Sequence, residues 1–208
     1  MSRRFLVLLK MIVWVLCLGP VGLLVWKALG SKLGANPLSE ITLSTGHWTL
    51  YLLLITLAMS PLRKITGLNW LIRFRRLLGL FAFFYGCLHL MTYLWFDKFF
   101  DLHEIVKDVY KRPFITAGFT AWCLMLPLAI TSTAASIRWL GGKRWQTLHR
   151  LIYASAIAGV VHYWWLVKRD LSDPEFMAGI LTLLLGFRIV DRIHTARAAR
   201  SPAAAQES

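Results

Sequence analysis

Six stretches of about twenty mostly apolar residues, joined by short polar links, constrain this chain more than any other feature. They cover roughly 6–29, 44–60, 77–97, 114–132, 148–167 and 176–193. At about 1.5 Å per residue, each is near the ~30 Å that a helix needs to cross the hydrocarbon core of a bilayer. In lipid every backbone N–H and C=O must find a partner inside the protein, and a helix provides it within one segment. The reading is an all-α integral membrane protein, a six-helix transmembrane bundle over residues 1–193. Residues 194–208 are read as a cytoplasmic tail with a disordered Ala/Ser/Pro-rich end. The spans use nearly all of the 208 residues, so no soluble catalytic domain is expected.

The net charge of +14 would suggest nucleic acid on a soluble protein, but its distribution points to topology. Segments 1–10, 61–76, 133–150 and 188–208 hold sixteen Lys and Arg against only Asp191 and Glu207. The alternate links hold eight bases and eight acids. One side of the bundle carries the whole excess, which is the positive-inside pattern, so both termini are expected in the cytoplasm. Met1-Ser2-Arg3-Arg4 precedes an apolar run too long for a cleaved leader, so a retained first span is expected. Cys17, Cys87 and Cys123 lie inside spans without C-x-x-C spacing, and are read as packing residues. Ser60-Pro61 is read as the stop of the second span. Residues 98–113 are amphipathic and suggest a surface helix before Pro113. Gly141-Gly142-Lys143-Arg144 suggests a turn without phosphate-loop spacing.

Two spans carry the word Gly-x-x-His: Gly86-Cys87-Leu88-His89 and Gly159-Val160-Val161-His162. An imidazole inside a membrane helix is costly and marks a functional site. A glycine three residues earlier lies on the same face, and lets a flat macrocycle approach the backbone. His89 lies about 18 Å along the third span and His162 about 22 Å along the fifth, both counted from the basic side. Two histidines at one depth suit the axial ligands of a single haem, with Gly86 and Gly159 as packing positions. His149 lies 13 residues before His162, about 20 Å lower. It reads either as a contact of a second haem or cofactor, or as a polar interfacial residue. On one ideal helix the two histidines are about 140° apart, so a kink is needed for both to face one cavity. His47, His103 and His194 read as surface residues. Arg73, Arg75 and Arg76 read first as topology anchors, and second as a docking place for a flavin phosphate or an acidic donor.

Further words place these features together. Arg75-Arg76-Leu77-Leu78-Gly79-Leu80 followed by Leu88-His89-Leu90 resembles the third helix of the ferric-reductase-like transmembrane family. Trp145-Gln146-Thr147-Leu148-His149-Arg150-Leu151 with Tyr153, then His162-Tyr163, resembles its fifth. Gly34-Ala35-Asn36-Pro37, Thr45-Gly46 and Thr131-Ser132-Thr133 narrow the likeness to the haem-binding subunits of bacterial periplasmic methionine-sulfoxide reductases. The resemblance extends to about residue 193. It implies an inner-membrane b-type cytochrome carrying one haem b, or two, and FMN. It also implies electrons from the quinone pool or a cytosolic flavin reductase, and delivery to a soluble molybdenum-cofactor enzyme that reduces oxidised methionines. The implied haem ligands are His89, His149 and His162. Two-haem members of the wider family have a further histidine where this chain reads Arg75-Arg76.

The expected function is therefore a transmembrane electron conduit, with catalysis on a partner subunit. A Gly-x-Gly-x-x-Gly fingerprint is absent, so no nicotinamide domain is expected. Two other readings stay open: a stand-alone ferric or cupric reductase of the same fold, and a haem-free proton-coupled transporter using the histidines as a relay.

Overall fold

A computed structural model describes residues 3–204, with side chains described as far as Ala198. The helices are α1 (Arg3–Leu29), α2 (Pro37–Thr66), α3 (Arg75–Met91), α4 (Leu102–Lys111), α5 (Pro113–Ile130), α6 (Ala134–Leu140), α7 (Gly142–Leu148), α8 (Leu151–Leu166) and α9 (Ser172–Ala204). A 3₁₀ segment, Asn69–Phe74, leads into α3, and a π-helical segment, Thr92–Asp97, continues it. No strand occurs among the described residues. Four segments are long and apolar enough to cross a membrane: Arg3–Leu29, Pro37–Thr66, Asn69–Asp97 and Pro113–Ile130. α9 runs to Ala204, into the stretch whose composition suggested disorder. The last four residues of that expected tail lie outside the described residues.

α2 packs on α3, and α5 on α8, and the two pairs face each other. Leu53 and Leu57 of α2, Ala82 and Tyr85 of α3, Met125 of α5 and Ala156 and Val160 of α8 form the core between them. Small residues bring α5 and α8 close: the fully buried Ser155 hydroxyl donates to the Ala121 carbonyl at 2.9 Å. α9 lies across α8 and α2, adding Met177 and Leu181. α1 flanks α2 and α3 and leaves Val15 and Leu16 about two thirds exposed, as suits a lipid-facing helix.

Prolines shape the helices without ending them. Ser60-Pro61 does not stop α2, which continues to Thr66 and closes on Gly67 at φ 71°. Pro61 has no N–H for the Leu57 carbonyl four residues earlier, and Arg188 Nη2 of α9 donates to that carbonyl instead, at 2.5 Å. α1 is treated similarly beside Pro20. The Tyr85 hydroxyl donates to the Cys17 carbonyl at 2.7 Å and accepts from the Val21 N–H at 3.2 Å. The phenol bridges a rung of the helix ladder that the proline opens.

The links are structured as well. α4 is the amphipathic helix suggested for 98–113, capped by the Asp101 carboxylate, which accepts from the N–H groups of His103 and Glu104. Between α6 and α7 the chain turns at Gly141, φ 73°, a left-handed value that favours glycine. The expected fifth span, 148–167, is broken. His149 ends α7, and α8 begins only at Leu151, so α8 has 16 residues. The ideal 140° rotation between His149 and His162 therefore does not apply.

Candidate functional site

His89 of α3 and His162 of α8 meet in the space between the two helix pairs. Their ring centroids are 6.0 Å apart and their planes cross at 75°. His89 Nδ1 donates to the Thr42 carbonyl of α2 at 2.9 Å, and His162 Nδ1 to the Phe114 carbonyl of α5 at 2.6 Å. A carbonyl only accepts, so each Nδ1 carries the proton and each Nε2 is left with its lone pair. Imidazoles bound on opposite sides of one metal, with bonds of about 2 Å, have centroids roughly 6 Å apart. The spacing and the tautomers fit a bis-histidine metal centre, and the carbonyls are the outer partners such ligands use.

Two glycines seat the rings. A Cβ on Gly46 of α2 would lie 3.0 Å from His89 Cε1, and one on Gly118 of α5 only 2.7 Å from His162 Nδ1. Gly86 and Gly159 line the same cavity in another way. A Cβ there would meet Met125 Cε at 3.1 Å and Leu50 Cδ2 at 3.0 Å. The cavity, about 250 Å³, is walled mainly by apolar groups such as Leu50, Phe119, Trp122 and Met125. A haem is a flat, mostly apolar ligand, so this lining and its four glycines fit one. Arg112, just after α4, also lines the cavity. His47, expected at the surface, is half-buried, and its Nε2 lies 2.9 Å from the Tyr163 hydroxyl. His103 and His194 are exposed, as expected.

His149 stands apart from this pair. Its ring stacks on Trp145 at 3.9 Å and its Nε2 lies 3.1 Å from the Thr131 hydroxyl. Trp145 Nε1 donates to the Thr131 carbonyl at 2.9 Å, which fixes the stack. Of the three arginines, Arg73 and Arg76 are exposed, while Arg75 turns inward to within electrostatic range of Arg188, Tyr153 and His149. Gly46, Gly118, the Thr42 and Phe114 carbonyls and Arg188 escaped sequence reasoning. Their one signal was a glycine inside an apolar span, and glycines were weighed only on the histidines' own helices.

The chain resembles known proteins over most of its length. Residues 45–160 match the family described as "Ferric reductase like transmembrane component". The "Protein-methionine-sulfoxide reductase heme-binding subunit MsrQ" of Azospira oryzae is 61% identical over 163 residues, 78% of this chain and 70% of that protein. The protein of the same name from Herminiimonas arsenicoxydans is 54% identical, covering 88% of this chain and 85% of its own length. That from Rhodospirillum rubrum is 48% identical, covering 93% of each. No solved structure matches the chain. The chain belongs to the ferric-reductase-like transmembrane family and, within it, to the MsrQ proteins.

Proposed function

We propose that this member of the family is a transmembrane b-type cytochrome, whose haem iron is held between His89 and His162. The observation that carries the reading is the crossed imidazole pair at 6.0 Å, each ring pinned through Nδ1 to a carbonyl. When bound, a haem supplies one-electron chemistry at a potential tuned by its axial ligands and surroundings. The chain's own part is to leave both Nε2 lone pairs free of protein partners, seat the rings on Gly46 and Gly118, and keep water out with apolar walls. His89 and His162 would together hold the group from two sides, an arrangement suited to passing electrons more than to binding a further reactant.

The electron path is proposed to run from quinol or a cytosolic flavin reductase at the basic end to a periplasmic partner at the other. That partner is a molybdenum-dependent methionine-sulfoxide reductase (MsrP), which carries the catalysis. The names of the relatives and the positive-inside charge pattern support this direction. The proposal includes six crossings of the bacterial inner membrane, with both termini in the cytoplasm. His149 belongs to the entry end, as a contact for a second haem or other cofactor. Arg73, Arg75 and Arg76 are proposed as the docking place for a donor or for FMN.

Replacement of single histidines tests the reading. His89→Ala and His162→Ala are each expected to lose nearly all haem per purified protein, while His149→Ala keeps the haem between the pair. Unchanged haem in either of the first two overturns the axial pairing. A colourless wild-type protein favours the transporter reading. Metal reduction that persists after deletion of the periplasmic partner favours the stand-alone reductase.

A further inference from the structure

At the basic end of the bundle two guanidinium groups turn inward with no carboxylate to meet them. Arg188 Nη2 is taken by the Leu57 carbonyl, and Nη1 donates to the Tyr153 hydroxyl at 3.1 Å. The same guanidinium lies 5.1 Å from the centre of the Tyr153 ring. Its Nε is buried and has no hydrogen-bond partner among the described residues. Arg75, at the first turn of α3, has Arg188, Arg63 and Tyr153 as its electrostatic neighbours, and His149 lies within its range. Neither Arg75 nor Arg188 makes an ion pair among the described residues. Among the described residues, the segments at this end offer no unpaired carboxylate. The segments at this end hold only Asp191 and Glu207, and Asp191 is already paired with Lys64.

Like charges withdrawn from water raise the free energy of the fold unless an anion joins them. Guanidinium groups fit the oxygens of a phosphate through paired N–H donors, and basic clefts between membrane helices take phosphate headgroups in this way. We propose that Arg75 and Arg188, braced by Tyr153 and the Leu57 carbonyl, form a phosphate-binding site between α2, α3, α8 and α9. The phosphate comes either from an anionic phospholipid of the adjoining leaflet or from free phosphate in solution. The site is separate from the His89–His162 pair and does not depend on it.

The test compares the full-length wild type with Arg75→Gln, Arg188→Lys and, as an exposed control one turn along α9, Arg192→Gln. The Arg75 side chain makes no hydrogen bond or ion pair with the described residues, so its replacement is expected to leave the fold intact. Unchanged haem content in that variant checks this. Native mass spectrometry after extraction from phosphatidylglycerol bilayers reads the lipid arm. Titration with inorganic phosphate reads the free-phosphate arm. In one arm the Arg75→Gln and Arg188→Lys proteins are expected to bind at least about tenfold more weakly, with Arg192→Gln unchanged. A loss in the lipid arm names the headgroup as occupant, and a loss in the titration names free phosphate. Equal binding by all four proteins in both arms, or an equal loss in Arg192→Gln, overturns the site.

Discussion

Gly118 brings the backbone of α5 so close to His162 that a methyl group would stand 2.7 Å from Nδ1. Alanine in a helix normally gains up to about 1 kcal/mol over glycine, so the sequence alone suggests a stabilising exchange at this position. The geometry reverses that expectation. Gly118→Ala must push the ring off the Phe114 carbonyl, and loss of such an outer partner costs about 10–100-fold in metal affinity. Haem titration of the purified protein checks this, with Gly186→Ala as control, because nothing lies within 4 Å of a Cβ there. Full affinity in Gly118→Ala means that the seat does not matter. The histidine pair itself was legible, because an intramembrane imidazole is rare and two at one depth are rarer. The seats were not, because Gly46 and Gly118 come from other helices and lie 43 and 44 positions from the rings they support.

At the scale of elements, α4 is held by charge. Lys98 lies 2.6 Å from Asp108, with Arg112 at 3.5 Å, and the Lys98 contact holds the Asp108 carboxyl below the usual carboxylate range. A carboxyl with a lowered folded pKa stabilises the fold above its unfolded value, and that contribution is lost as pH falls through the folded one. The attachment of α4 is therefore expected to be complete at neutral pH and to weaken below about pH 4. Hydrogen exchange checks it: α4 amides should lose protection on acidification before those of α5 do. Equal loss in both helices removes the carboxylate from the account. The existence of α4 was legible from its amphipathic pattern. The course of α2 through Pro61 was not, because the group that replaces the missing rung is Arg188, 127 residues further on.

For the whole molecule, the asymmetry of charge is the main determinant of orientation. The sequence segments proposed to be cytoplasmic hold sixteen bases against two acids, and the alternate links are balanced. With both termini cytoplasmic, a fluorescent-protein fusion at the C-terminus glows and an alkaline-phosphatase fusion there stays inactive. The opposite pair of results overturns the topology. The helical class followed from composition and run length. The interruption at His149-Arg150 did not, because a polar pair at the edge of an apolar run does not by itself mark a helix break, and the stack of His149 on Trp145 that accompanies it is a tertiary contact.

The 75° crossing of the imidazole planes also has a magnetic consequence. Parallel axial rings raise one iron orbital of π symmetry above its twin, whereas crossed rings act on both about equally and leave them nearly degenerate. Were a low-spin ferric iron held by both rings at this angle, it would give a broad, steeply anisotropic resonance at low field in frozen solution. Three well-resolved lines would mean that the rings swing into register around the iron.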